Sequence, residues 1–91
     1  MQIRAYATLR DLLGGSVFEQ EIAPGATVGD VLADLAQRHA EFAHKLWRAD
    51  GRPTGLITVL LNGRSIEFLQ GNATPVGPGD ILSLFPPVGG G

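Results

Sequence analysis

The sequence contains no cysteine. That excludes disulfides, zinc–thiolate sites and iron–sulfur clusters, and any thiol chemistry must draw on a partner's sulfur. An excess of either charge is also missing: seven Lys and Arg stand against nine Asp and Glu, a net charge of −2. The basic residues are scattered, so the concentrated positive surface that nucleic-acid binding needs is not expected. No apolar run approaches the ~20 residues of a membrane-spanning helix, and the N-terminal segment lacks the apolar stretch of a signal peptide. A soluble cytoplasmic domain is the expectation. Ninety-one residues suit one domain, which buries roughly 65% of its unfolded surface and so builds one modest core.

What the sequence does have is a conspicuous end. Pro86-Pro87 is followed by Val88-Gly89-Gly90-Gly91. Three glycines carry no side chain to clash with a narrow channel, and they accept backbone angles closed to other residues. The two prolines fix φ and favour an extended root. Six residues from Pro86 to Gly91 reach roughly 20 Å when extended, enough to thread a partner's wall. The domain division expected is a folded body over 1–85 and a tail over 86–91. The tail alone reads equally as a reactive terminus or as an inert one.

Gln2 to Ala7 alternates as a strand, with Ile3, Ala5 and Ala7 on one face and Arg4 and Tyr6 on the other. Thr8 to Leu13 forms a short helical turn ended by Gly14-Gly15. Val17 to Ile22 alternates again, with Phe18, Gln20 and Ile22 opposite Val17, Glu19 and Glu21. Thr27 and Asp30 make a capping box, and Val28, Val31, Leu32, Leu35, His39, Phe42 and Leu46 follow at helical spacing. That stripe has room for a break near Arg38 to Ala40. Asp34 and Arg38 form an outward i,i+4 pair. Ala49 to Gly55 is a loop by its Gly and Pro content. Leu56 to Leu61 is a strand, Asn62-Gly63 a hairpin turn, and Arg64 to Phe68 its return. Asp80 to Phe85 is the last strand. One principal helix on a small mixed sheet of about five strands is an α+β arrangement, and if the last strand lies beside the first it is a β-grasp.

The interior of the chain offers little chemistry. His39 and His44 are five apart, the wrong spacing for two metal ligands on one helix face, and no metal site is expected. Ser65 and Ser83 lack a nucleophile elbow. Gly77-Pro78-Gly79 is not a phosphate loop. Trp47 has no basic surroundings of the kind that base-stacking platforms have. An autonomous active site is not visible.

Four stretches carry a resemblance: Tyr6 to Gly14, Ala26 to Leu32, Val59 to Arg64 and Gly79 to Gly91. Together they resemble the ubiquitin-like sulfur carriers, the small subunit of molybdopterin synthase and the thiamine-pathway carrier. The likeness spans nearly the whole chain. The ending Phe-Pro-Pro-Val-x-Gly-Gly is its most specific part and is most similar to the molybdopterin-synthase subunit. Gly89 stands where that family usually has Ala or Thr. Ala40 to Gly55 is longer than in the shortest molybdopterin-type carriers, as it is in relatives serving cysteine synthesis, tRNA thiolation or natural-product pathways.

The resemblance implies a β-grasp body with a flexible tail and a role as protein co-substrate. Gly91 would be adenylated by a ubiquitin-activating-type enzyme using ATP and magnesium, then converted by a sulfur donor to a thiocarboxylate. Gly89 and Gly90 would be the threading segment. No cofactor would be bound by the chain itself. The acceptor would be a molybdopterin synthase large subunit, a cysteine-synthase-like enzyme or another sulfur-accepting enzyme. Joining Gly91 to a lysine, as a protein modifier does, is the alternative, as is an adaptor with an inert tail. Tyr6 and Phe85 fall on the strand faces opposite the helix, and with Pro86 and Pro87 they are the expected docking residues.

Overall fold

The computed structural model describes residues 1–50 and 52–87. The elements are β1 (Gln2–Ala5), α1 (Thr8–Leu13), β2 (Val17–Glu19), α2 (Val28–Arg38), α3 (Ala40–Leu46), β3 (Thr58–Leu61), β4 (Arg64–Ser65) and β5 (Ile81–Phe85), with single 3-10 turns at Ile66–Phe68 and Gly71–Ala73. One mixed sheet has the order β2-β1-β5-β3-β4. β1 and β5 run parallel at its centre, and every other pair is antiparallel. The last strand thus lies beside the first, and the arrangement is the β-grasp that the element order suggested.

Local chemistry explains the helices. α1 closes on Gly14, whose φ of 81° is the left-handed conformation that favours glycine. α2 starts from a complete capping box: the Asp30 N–H donates to Thr27 Oγ1 at 3.3 Å, and the Thr27 N–H donates to Asp30 Oδ2 at 2.9 Å. Each satisfies an amide that the first turn would leave orphaned. The apolar stripe breaks at His39, which takes extended angles (φ −133°, ψ 93°) and serves as the joint between α2 and α3. Phe42 and Leu46 then continue into the core from α3. Arg38 meets Asp34 at 3.0 Å with both side chains about half exposed, which is worth little by itself. Gln20 adds a bridge, donating to Asp34 Oδ2 at 2.6 Å and accepting from Arg38.

The core lies between the helices and one sheet face. Ile3 and Ala5 of β1, Leu82 and Leu84 of β5 and Val59 and Leu61 of β3 meet Val28, Leu32, Leu35, Phe42 and Leu46. Fully burying one such large side chain contributes about 1.5–3 kcal/mol.

Several strand ends differ from the sequence reading. β1 stops at Ala5, because Ala7 turns the chain away at φ 52° and is exposed. β2 is a strand only to Glu19, although the Gln20 N–H still donates to the Met1 carbonyl at 2.8 Å. The return of the central hairpin is shorter than Arg64 to Phe68: β4 is two residues long and Ile66–Phe68 curls into a 3-10 turn. Ser65 Oγ causes the switch by accepting the Glu67 N–H at 3.3 Å, a local bond that competes with the ladder.

The Asn62-Gly63 turn has positive φ at both residues, 51° and 84°, as a tight hairpin turn of the right twist requires. Asn62 also clamps the start of β5. It accepts the Ile81 N–H at 2.9 Å and donates through Nδ2 to Asp80 Oδ1 at 3.0 Å. Asp80 Oδ2 accepts the Gly77 N–H at 2.7 Å. The Asn62 hydrogen bond first, and then the Gly77 amide, hold the Asp80 carboxyl below its ordinary pKa. A depressed folded pKa contributes stability above the unfolded value, near about 3.9, and that stability is lost as pH falls through the folded value. Asp80→Asn has one acceptor oxygen where two are used. We expect it to be less stable than the parent at neutral pH, with the gap narrowing as pH drops below the carboxylate range. Urea unfolding across pH checks this, and a gap independent of pH would remove Asp80 from the account.

Candidate functional site

The candidate site is the end of the sheet where β5 runs out toward the tail. Parallel pairing sets Ala5 of β1 opposite Leu84 of β5, both buried. One residue further on, the Tyr6 N–H donates to the Leu84 carbonyl at 3.1 Å, carrying the ladder one step past β1. Side chains alternate across a sheet, so Tyr6 and Phe85 emerge on the outer face. Their rings stack with centroids 4.3 Å apart and planes within 9°. Tyr6 remains 39% exposed and Phe85 is half-buried. On its other side Phe85 faces Thr58 of β3. Pro86 and Pro87, half-buried, continue directly from this pair. The expected docking residues are therefore contiguous. Gly89, Gly90 and Gly91 lie outside the described residues.

The outer face around the pair is mixed in character. Arg4 lies in register with Ser83 and Val17, and Leu60 lies beside Ser83. The Arg4 guanidinium donates to Gln2 Oε1 at 2.8 Å. Val17 is 55% exposed on this face, an apolar residue that the β2 alternation already placed away from Phe18. The sequence reading missed Phe68, which the shortened hairpin return leaves 81% exposed. Periodicity alone could not have found it, since the signal at fault was the Ser65 turn.

Elsewhere the described residues carry no catalytic constellation. No three His, Cys, Asp or Glu side chains among them converge as metal ligands would. His39 is the helix joint and His44 is exposed on α3. No helix among the described residues is long and apolar enough to cross a membrane. A hollow of about 200 Å³ between α3 and β3 is lined by Leu46, Trp47, Ile57 and Ile66 together with the polar Thr54, Thr58, Ser65 and Glu67.

A β-grasp body whose sequence ends in a glycine run is that of a ubiquitin-like carrier or modifier. The chain belongs to the ThiS family, which it matches over residues 3–91. It is 38% identical over 91 residues to small archaeal modifier protein 3 of Haloferax volcanii, covering 100% of this chain and 98% of that one. It is 28% identical over 71 residues to the sulfur carrier protein CysO of Mycobacterium tuberculosis, covering 76% of each. A chain of the BexX/CysO complex from Amycolatopsis orientalis superposes with a TM-score of 0.77 at 30% identity, over 99% of this chain and 98% of that one.

Proposed function

We propose that this protein carries sulfur as a thiocarboxylate on Gly91. The observation that bears most weight is the Tyr6–Phe85 stack at the root of the tail. It supplies a rigid, half-exposed anchor next to the segment that must enter a partner, and aromatic anchors commonly dominate interface energies. The family and the sulfur-carrier relative support the same reading.

The chemistry runs in two steps, each on a partner. A carboxylate is a poor electrophile, so an adenylating enzyme of the ubiquitin-activating type first uses ATP and magnesium to join Gly91 to AMP. A sulfur donor then attacks the carbonyl, AMP leaves, and a thiocarboxylate remains. That anion is a better nucleophile than the carboxylate it replaces, and a second enzyme receives it. The Phe85-Pro86-Pro87-Val88 ending favours an acceptor of molybdopterin-synthase type. The solved complex of BexX with CysO supports a partner protein docking on a carrier of this shape. In this scheme the chain is a recycled co-substrate that binds no cofactor itself, residues 1–85 being the docking body and 86–91 the reactive tail. A modifier role, with Gly91 joined to lysines, is the second reading, favoured by the likeness to an archaeal modifier protein.

Intact mass spectrometry after incubation with ATP, magnesium, a cognate adenylating enzyme and sulfide tests the proposal. The expected result is the mass gain of one oxygen replaced by sulfur, mapped to Gly91. No gain, with the enzyme active on another carrier, would overturn it.

A further inference from the structure

Three of the seven basic residues, Lys45, Arg48 and Arg52, fall within one stretch of eight positions. The chain folds this stretch back on itself. Trp47 and Pro53 form an antiparallel bridge, and inside it the Arg48 N–H donates to the Arg52 carbonyl at 2.7 Å. The Thr54 N–H donates to the Leu46 carbonyl at 3.0 Å, and Thr54 Oγ1 donates to the Lys45 carbonyl. The three cations are thus gathered on one small strap between α3 and β3, and all three are exposed. Among the described residues, Lys45 and Arg48 enter no ion pair. Arg52 meets Asp50 at 3.8 Å with both side chains largely exposed, a contact that contributes little. Glu67 faces the strap from another element, lining the hollow between α3 and β3 together with Pro53 and Thr54.

The sheet register places this strap beside the tail. β3 and β5 are antiparallel, and Thr58, where β3 begins, pairs with Phe85, where β5 ends. Thr54 is four residues before Thr58, at most about 14 Å of chain. The strap therefore stands at the end of the sheet from which the tail departs. Leu56, 42% exposed, lies on the chain between the cations and the aromatic pair. The opposite end of the sheet carries Glu19, in register with Gln2, and Asp80, just before β5, with Arg64 on β4. Outside the strap the sequence holds eight acids and four bases, so the strap is positive and the remainder negative on balance.

From this placement we propose that Lys45, Arg48 and Arg52 form a second docking surface, which binds acidic side chains at the rim of the enzyme channel that takes in the tail. The proposal deepens the carrier reading and rests on its premise that the tail enters an adenylating enzyme. Interfaces commonly join an apolar centre to a polar rim, with arginine enriched. Here Tyr6, Phe85 and Leu56 supply the apolar part, and the strap supplies the charged rim. An acidic partner surface attracts the strap and repels the surplus of acids elsewhere, so the chain turns its tail end toward the channel as it approaches. Such complementarity acts on the rate of association more than on the lifetime of the complex. An overall negative chain with three gathered cations suits a few carboxylates, not the dense charge of a nucleic acid.

Stopped-flow association of the full chain with the adenylating enzyme tests this. At about 0.01 M salt, where charges act over about 30 Å, the double variant Arg48→Gln, Arg52→Gln should associate at least about fivefold more slowly than the parent. At about 1 M salt the screening length falls to about 3 Å, and the two should match. The dissociation rate and melting temperature of the double variant should stay at parental values. Arg64→Gln, at the far end of the sheet, should associate as the parent does. A double variant at the parental rate in low salt, equal slowing by Arg64→Gln, or slowing that survives high salt would overturn the inference. A second arm needs no enzyme. The full chain is titrated with a short polyglutamate peptide at about 0.01 M salt and followed by amide NMR. The amides of Lys45, Arg48 and Arg52 should move most. No shifts there, or equal shifts at Arg64, would overturn the surface even where the parent chain does not bind the enzyme, a failure that would itself tell against the adenylation reading.

Discussion

Removing Gly90 and Gly91 should abolish the ATP-dependent gain of sulfur and leave the melting temperature where it is. The second half follows from where the core ends. Among the described residues its last member is Leu84, and β5 closes at Phe85. The first half follows from reach. Two residues shorten an extended tail by about 7 Å, and a misplacement of only about 1 Å at a reacting centre can cost about a hundredfold in rate. The new terminal carboxylate of Gly89 is chemically as competent as that of Gly91, so a loss would be one of position. Gly90→Val is the companion variant. It keeps the length and adds a β-branched side chain, and it should slow the reaction strongly if the segment threads a channel. Intact mass and thermal denaturation decide both. A truncated chain that still gains sulfur at the parental rate would sink the tail mechanism, and a fall in melting temperature would show that the tail belongs to the fold.

Tyr6→Ala and Phe85→Ala should each weaken binding to the adenylating enzyme by roughly thirtyfold, the effect of losing an anchor worth about 2 kcal/mol. Folding should suffer less. The rings emerge on the face away from the core, and a stacked pair adds only about 0.5–1.5 kcal/mol beyond its buried area. The two substitutions should not add, because removing either ring leaves the other without its neighbour at 4.3 Å. Tyr6→Phe keeps the stack and should bind nearly as the parent does. Calorimetric titration of each variant with the enzyme, beside its melting curve, separates the outcomes. Binding and stability lost in equal measure would mean that the pair merely covers the edge of the core.

Much of this protein was legible in its sequence wherever the cause is local. The Thr27–Asp30 capping box, the left-handed stop at Gly14, the Asn62-Gly63 turn and the break at His39 all depend on bonds spanning a few residues. The apolar stripe from Val28 to Leu46 states its own period, and the glycine tail is a feature of composition alone. Strand ends were less legible, because a single competing bond can cut a ladder short. Ser65 Oγ does so at β4 and thereby leaves Phe68 in solvent.

Only the tertiary structure brought Tyr6 against Phe85 and tied the Met1 amine to the Gln20 carbonyl. Both depend on which strands become neighbours. Strand pairing is chosen by how the whole apolar set is buried, a non-local balance that alternation within one strand does not encode. The sequence alone determined most of the elements and the glycine-rich end. The parallel pairing of β1 with β5 decided where the Tyr6–Phe85 pair stands, because it joins segments from opposite ends of the chain.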